Sequence, residues 1–247
     1  MPAKRIASLL SLTLALLIPH LTLADARDDG MQLAAELRQA TPPEEIQVQG
    51  LIRMRHPSGQ RTSIPFSYQV EVLPNGWNGI YSTPGGDGIP QQTLTVLHQN
   101  QQPNVYTLQS SNAPTQSLQG PAAMTAFAHS DFWLADLGLD YLHWPEHRIL
   151  EHLKIKMRKG RPCQILESTN PNPNAKGYTR VLSWIDRETR KPIIAEAYAP
   201  DGSLLKEFEV GGVTKVNGVW ELKNLEMRNV QQDSLTLLEF QYESREE

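Results

Sequence analysis

From Ile46 onward, apolar and polar residues alternate with a period of two. Ile46, Val48, Ile52 and Met54 alternate with Gln47, Gln49, Arg53 and Arg55, and His56-Pro57-Ser58-Gly59 then turns the chain. Ile64, Phe66, Tyr68, Val70 and Val72 alternate with Ser63, Ser67, Gln69 and Glu71, the cleanest such row in the protein. A strand patterned this way has one wet face and one covered face. Asn75-Gly76 is a hairpin signal leading into a strand from Trp77 to Thr83, and Thr93–His98 with Val105–Gln109 reads as another hairpin. Ser110–Pro121, polar and proline-containing, reads as a loop. Strands resume around Leu153, Ile155 and Met157, then at Cys163–Ser168, Tyr178–Asp186, Ile193–Tyr198, Leu204–Val210, Val219–Leu222 and Leu235–Tyr242. About eleven strands with hairpin-length connections predict a mainly β chain with a few helices, built as a curved antiparallel meander sheet.

Two segments depart from the period of two. Asp28–Gln39 carries Met31, Ala34, Ala35 and Leu37 at helical spacing and stops before Pro42-Pro43. Ser130–Trp144 is the larger departure. Trp133, Leu137, Tyr141 and Trp144 follow the 3.6-residue period, and Phe132, Ala135, Leu139 and Leu142 spread the apolar surface most of the way round. Ser130 is placed as an N-cap and Pro145 as a stop, while Gly138 weakens the helix and offers a point at which it splits. A long curved sheet exposes a concave apolar face that has to be covered, and these two segments are the available plugs. Phe66, Tyr68, Val70, Trp77, Tyr81, Phe132, Trp133, Leu137, Tyr141 and Trp144 would then line one cavity and its lid. If Phe132, Trp133 and Leu137 point into the sheet's hollow, a binding cavity gains support; if they cover a convex face, or if side chains fill the hollow solidly, the cavity is ruled out.

The N-terminus changes the compartment. Lys4 and Arg5 precede the uncharged run Ile6–Ile18, and Ala24-Asp25-Ala26 is an A-x-A cleavage signal, so residues 1–26 read as a secretory signal peptide and 27–247 as one mature domain. No later stretch approaches the roughly 20 uncharged residues of a spanning helix. The formal net charge of -4 argues against nucleic acid as a partner, and the single cysteine, Cys163, cannot form an internal disulfide.

Candidate chemistry is thin. His143, His147 and His152 crowd together near Glu146 and Glu151, but Pro145 interrupts the helix that would align a metal pair. Cys163 sits in register with Ile165 and reads as a core residue, no G-x-S-x-G occurs, and the glycines of Pro84–Gly88 lack the residues of a phosphate loop. Asp131, Asp136 and Asp140 match no calcium loop and are assigned to capping and solvation. No catalytic residue, metal site or cofactor site is expected.

Ser130-Asp131-Phe132 with Asp136-Leu137, Gly160–Ser168 (GRPCQILES), Tyr178–Asp186 (YTRVLSWID), Pro192, Glu196-Ala197-Tyr198 with Asp201-Gly202 and Lys206, and Asn217-Gly218-Val219-Trp220 with Met227 together resemble the LolA-like outer-membrane lipoprotein-sorting proteins of Gram-negative bacteria. The resemblance covers most of the mature chain and is firmest from Ser130 to Asn229. It implies an eleven-stranded half-barrel closed by helices, a hydrophobic cavity for lipoprotein acyl chains or other lipids, and a non-enzymatic chaperone role in protein transport across the periplasm. It further implies an inner-membrane exporter as donor, an outer-membrane acceptor, and a lid-latching arginine, for which Arg53 and Arg55 are the early-strand candidates. A lipid- or lipoprotein-sensing interaction module in envelope-stress regulation is the alternative.

Overall fold

The computed structural model describes residues 21–85, 91–99, 101–150, 155–172, 177–216 and 218–242. A helix, α1 (Leu21–Gln39), precedes six strands: β1 (Ile46–Arg55), β2 (Arg61–Leu73), β3 (Gly76–Thr83), β4 (Gln92–Gln99), β5 (Val105–Ser110) and β6 (Ala113–Leu118). A connection then carries a 3-10 turn at Gly120–Ala123, the one-turn helix α2 (Leu134–Leu137) and a second 3-10 turn at Asp140–His143. Eight strands follow: β7 (Glu146–Ile149), β8 (Lys156–Arg158), β9 (Arg161–Thr169), β10 (Arg180–Asp186), β11 (Pro192–Tyr198), β12 (Leu204–Val216), β13 (Val219–Asn229) and β14 (Ser234–Gln241).

All fourteen strands form one antiparallel, curved sheet that does not close into a barrel, in the order β6-β5-β4-β3-β2-β1-β14-β13-β12-β11-β10-β9-β7, with β8 also on β9. The mainly β, meander architecture expected from the pattern is therefore correct, and the strand count rises from about eleven to fourteen. The additions are short strands whose patterns carry no alternation. Ala113–Leu118, read as loop, is the edge strand β6, and its solvent-facing residues account for the polarity that hid it.

The topology dictates what covers the inner face. Two meanders meet where β1 pairs with β14, so β6 and β7 are the sheet's opposite edges. Residues 119–145, which join them, have to cross the sheet from one edge to the other. They do so over its inner face, where Val48, Ile52, Phe66, Tyr81, Leu94, Val96, Tyr106, Leu238 and Phe240 pack with Phe127, Phe132 and Leu134 of the connection. Burying each such side chain stabilises by about 1.5–3 kcal/mol. A second inner cluster gathers Leu33 and Ala34 of α1 with Tyr141, Leu142, Leu166, Val181, Ile185, Ala195 and Ala197. Helix α1 reaches β7 closely because Gly30 has no side chain: a Cβ there would lie 2.4 Å from the Arg148 Cα. On the outer face a smaller cluster holds Cys163, Ile165, Trp184 and Ile193.

The long helix expected over Ser130–Trp144 is not formed. Leu139 adopts φ 50°, which separates α2 from the Asp140–His143 turn, and a Cβ on Gly138 would lie 2.3 Å from the Tyr106 hydroxyl. The split falls where Gly138 suggested, because this segment has to present side chains to two clusters rather than one. Ser130 caps no helix; its hydroxyl accepts from the Phe132 N–H within a turn, and the Asp136 carboxylate accepts from the Trp133 N–H at 2.8 Å to open α2. Ala128 (φ 49°) and His129 (φ 58°) are likewise left-handed. Each such non-glycine residue costs roughly 1–2 kcal/mol, so His129→Gly, at an exposed position, is expected to stabilise by roughly 0.5–1 kcal/mol and raise Tm by about 1–4 °C in thermal unfolding. An unchanged or lower Tm would show that the turn carries no strain.

The predicted signal segment lies largely outside the described residues; the end of it, from Leu21, forms the first turns of α1. Among the described residues no helix is long and apolar enough to cross a membrane.

Candidate functional site

The connection is a plug held by polar contacts at an apolar interface. Lys206 occupies an inward position on β12, in the row of Phe208, and is 3% exposed. Its ammonium donates to the Asp131 carbonyl at 2.7 Å and to Asp136 Oδ2 at 3.1 Å, and lies 3.6 Å from the centre of the Trp133 ring. Tyr178 donates its hydroxyl to Asp136 Oδ1 at 2.8 Å and stacks on Trp133 at 4.7 Å. Burial pushes the Lys206 ammonium's pKa down while Asp136 opposes that shift, so the pair is an ion pair held in a poorly solvated place.

Asp131 is bound just as firmly. It accepts from Ser234 at 2.5 Å and Thr236 at 2.8 Å, and its own N–H donates to Thr236 Oγ1 at 2.9 Å. Asp140 accepts from Tyr106 at 3.2 Å, and burial pushes its carboxyl pKa up. Asn104 donates to the Gly138 carbonyl at 2.6 Å, and Arg38 of α1 to the Leu142 carbonyl at 2.5 Å. The capping assigned to the aspartates holds for Asp136, which opens α2, but the solvation does not: all three fasten the plug to the sheet. One signal was available, since Lys206 interrupts an otherwise apolar inward row of Leu204, Phe208 and Val210. Arg53 and Arg55 do not touch the plug; they pair with Glu239 and Asp233 away from it.

Of the ten residues expected around one cavity, eight divide between two clusters, and Val70 and Trp77 belong to neither. Phe66, Tyr68, Val70, Trp77 and Tyr81 share the inner face of β2 and β3, as the pairs Tyr68–Tyr81 and Val72–Trp77 require. Phe132 and Leu137 join Phe66, Tyr68 and Tyr81 in the first cluster, whereas Trp133, Tyr141 and Trp144 belong to the second. Phe208 touches both and stands edge-on to Phe132 at 6.3 Å. Phe132, Trp133 and Leu137 thus all face the inner surface. Around the latch the hollow is filled: Asp136, Tyr141, Tyr178, Val181, Ala197 and Lys206 line a void with only about 20 Å³ open to water, room for one molecule. A wider opening of about 230 Å³ is left beside Ala128 and His129 of the plug, lined on the sheet side by Ile64, Thr83, Gln92 and Ser110. An acyl chain needs many times the void beside the latch, so no site for one is open there.

Cys163 is buried in the outer cluster, as expected for a core residue. Of the crowded histidines, His152 lies outside the described residues, which contain no group of three potential metal ligands. His147 is 2% exposed and bonds Ser168 Oγ through Nδ1 at 3.0 Å. Burial lowers the pKa of His98, His143 and His147 to about 4, with Arg38 beside the last two adding to the effect. Between about pH 6.5 and 4 the unfolded chain therefore takes up protons that the folded protein refuses, and stability present at pH 7 is lost as pH falls through that window. His147 alone accounts for up to about 3 kcal/mol of this. Thermal unfolding should show Tm falling between pH 7 and pH 5, and His147→Gln should flatten the slope; an unaltered slope would remove His147 from the account.

No curated protein matches the chain. Among solved structures, a DUF1329 family protein from Desulfovibrio piger superposes with a TM-score of 0.71 at 15% identity, covering 87% of this chain and 91% of that one. A domain from Vibrio parahaemolyticus, named for outer membrane lipoprotein sorting, gives 0.71 at 18% identity, covering 89% and 94%. A LolA superfamily protein from Nitrosomonas europaea gives 0.58 at 17% identity, covering 88% and 92%. At these identities the likeness is one of fold. The model of a "-like" family described as "Uncharacterized protein" matches residues 90–245, which include the plug, Lys206 and every strand from β4 to β14. With that match over more than half its length, the chain belongs to the family of that model, and its curved sheet and plug are the fold it shares with the lipoprotein-sorting domain and the LolA superfamily protein.

Proposed function

We propose that this protein is a periplasmic, non-enzymatic carrier that shelters the acyl chains of lipoproteins or other lipids against the inner face of its sheet after the plug swings aside. The observation that carries the reading is the plug itself: an edge-to-edge segment with an apolar underside, seated on an apolar sheet through a small set of polar contacts. The buried Lys206–Asp136 pair adds little net stability to a core, because the cost of desolvating two charges offsets most of their attraction. A polar fastening on an apolar contact holds one position and, once broken, leaves two greasy surfaces free. Three left-handed residues in the segment, Ala128, His129 and Leu139, keep it from being the most relaxed arrangement available. The relatives named for lipoprotein sorting and the secretory pattern at the N-terminus agree with this reading.

Each acyl methylene removed from water contributes about 0.8 kcal/mol, so a long chain offsets the cost of displacing the plug without any catalytic group. Phe66, Tyr68, Val70, Trp77 and Tyr81 are the proposed floor of the binding surface, and Phe132, Trp133, Leu137, Tyr141 and Trp144 its movable cover. The secreted form purified from a Gram-negative host is expected to carry an acyl-lipid adduct in native mass spectrometry and to take up a fluorescent fatty acid at one equivalent. A bare polypeptide mass, with no uptake even after the latch is removed, would overturn the carrier reading. An interaction-module role would show instead as a defined protein partner with no lipid transfer.

A further inference from the structure

The large apolar side chains that are exposed among the described residues are not scattered. Val72, Leu73, Ile155, Met157, Val213 and Trp220 are all on hairpin ends, and the strand pairings put those ends on the same side of the sheet. The hairpins at the opposite end carry Ser58-Gly59, Asp201-Gly202 and Gln232-Asp233. Trp220 is 66% exposed, the most of the six.

Trp220 sits near the tip of the longest hairpin. β11 accompanies β12 only as far as Glu209, and β14 accompanies β13 only from Asn224 onward. Residues 212–216 therefore pair only with 219–224, as a two-stranded finger standing off the sheet. Register places Val213 opposite Leu222 and Lys215 opposite Trp220, so these four side chains share one face of the finger. Leu222 packs against the inner cluster. The face bearing Val213 and Trp220 is thus a continuation of the sheet's inner face into solvent, ending at a tryptophan.

We infer that this finger is a membrane-docking element that seats on an anionic phospholipid surface, with Trp220 and Val213 in the interfacial layer and Lys215 and Lys223 against headgroup phosphates. The inference rests on the carrier reading for its purpose, which is to bring the open end of the inner face to the bilayer from which an acyl chain leaves or which it enters. The chemistry favours a bilayer over a protein. A stable protein contact buries about 800 Å² on each partner, which a two-stranded tip does not offer. Tryptophan flanked by lysine is the composition that settles at a membrane interface, the ring at headgroup depth and the ammonium groups at the phosphates. Lys215 and Lys223 have no ion-pair partner among the described residues and are free to turn. Glu221 lies on the opposite face, where burial and Glu44 push its carboxyl pKa up and Lys191 opposes them.

The test is cosedimentation of the secreted protein with vesicles of phosphatidylglycerol and phosphatidylethanolamine. Val213→Ser with Trp220→Ser is expected to cut the partition coefficient at least tenfold, and Lys215→Glu with Lys223→Glu to cut it at low salt. Tm and uptake of a fluorescent fatty acid without vesicles should be unchanged, because the finger lies off the packed sheet. Equal partitioning of the parent and the Val213/Trp220 variant, or no partitioning by either, would overturn the inference. So would a fall in oligomer size for that variant in gel filtration, which would assign Trp220 to a second copy of the chain. Vesicle binding without fatty-acid uptake would leave the finger standing and remove the carrier reading instead.

Discussion

Lys206→Met is expected to lower stability by about 3–5 kcal/mol, a fall in Tm of roughly 6–20 °C, and at the same time to increase fatty-acid uptake. The loss follows from what is left behind. Asp136 remains buried with its charge, still accepting from Tyr178 and from the Trp133 N–H, but without the ammonium 3.1 Å away that balanced it. The Asp131 carbonyl also loses its donor. Removing the acid as well, in Lys206→Met with Asp136→Asn, takes away the orphaned charge: the amide oxygen accepts from the Trp133 N–H while its NH2 donates to the Tyr178 hydroxyl oxygen. The double variant should therefore recover about 1–3 kcal/mol relative to the sum of the single changes. Thermal unfolding of the four proteins measures this coupling, and simple additivity would mean the pair is not a unit. Uptake separates a latch from a mere core contact. If Lys206 fastens the plug, the single variant binds fatty acid more tightly than the parent despite being less stable; weaker binding in step with stability would sink the latch.

Most of the sheet was legible because its signal is local. Alternation along β1 and β2, the Asn75-Gly76 turn and the inward row of β14 each declare a strand without reference to anything distant. The plug's existence was legible for the same reason, as an apolar segment out of period with its surroundings. Its conformation was not. Whether Ser130–Trp144 is one helix or two turns depends on Tyr106 lying against Gly138 and on Phe132 and Trp133 answering to different clusters, and the sheet makes those contacts from far along the chain. The aspartates were misread for a related reason. Asp136 draws its partners from β12 and from Tyr178, forty or more residues away, so nothing near it in the chain shows that it is paired rather than solvated. Weak edge strands such as β6 and β7 form by pairing with a better-patterned neighbour, and their own residues carry little of that information.

Phe132→Ala tests the proposed cover directly, because it removes a fully buried ring from the plug while leaving every polar contact of the latch in place. The change should cost about 3–5 kcal/mol, part from lost burial and part from the cavity left against Phe208. A ligand that fills the space restores stability by mass action, about 2.7 kcal/mol at a hundredfold excess over Kd. The expected result is a protein with a depressed Tm that rises more steeply on adding fatty acid than the parent's does. The control is Ile165→Ala, which creates a comparable cavity in the outer cluster, behind the sheet from the plug. It should cost about 2–5 kcal/mol and leave fatty-acid affinity where it was. The contrast between the two faces decides the matter: if the inner and outer cavities respond to ligand alike, the gain reflects nonspecific filling of any greasy hole, and the inner face has no claim to be a binding surface.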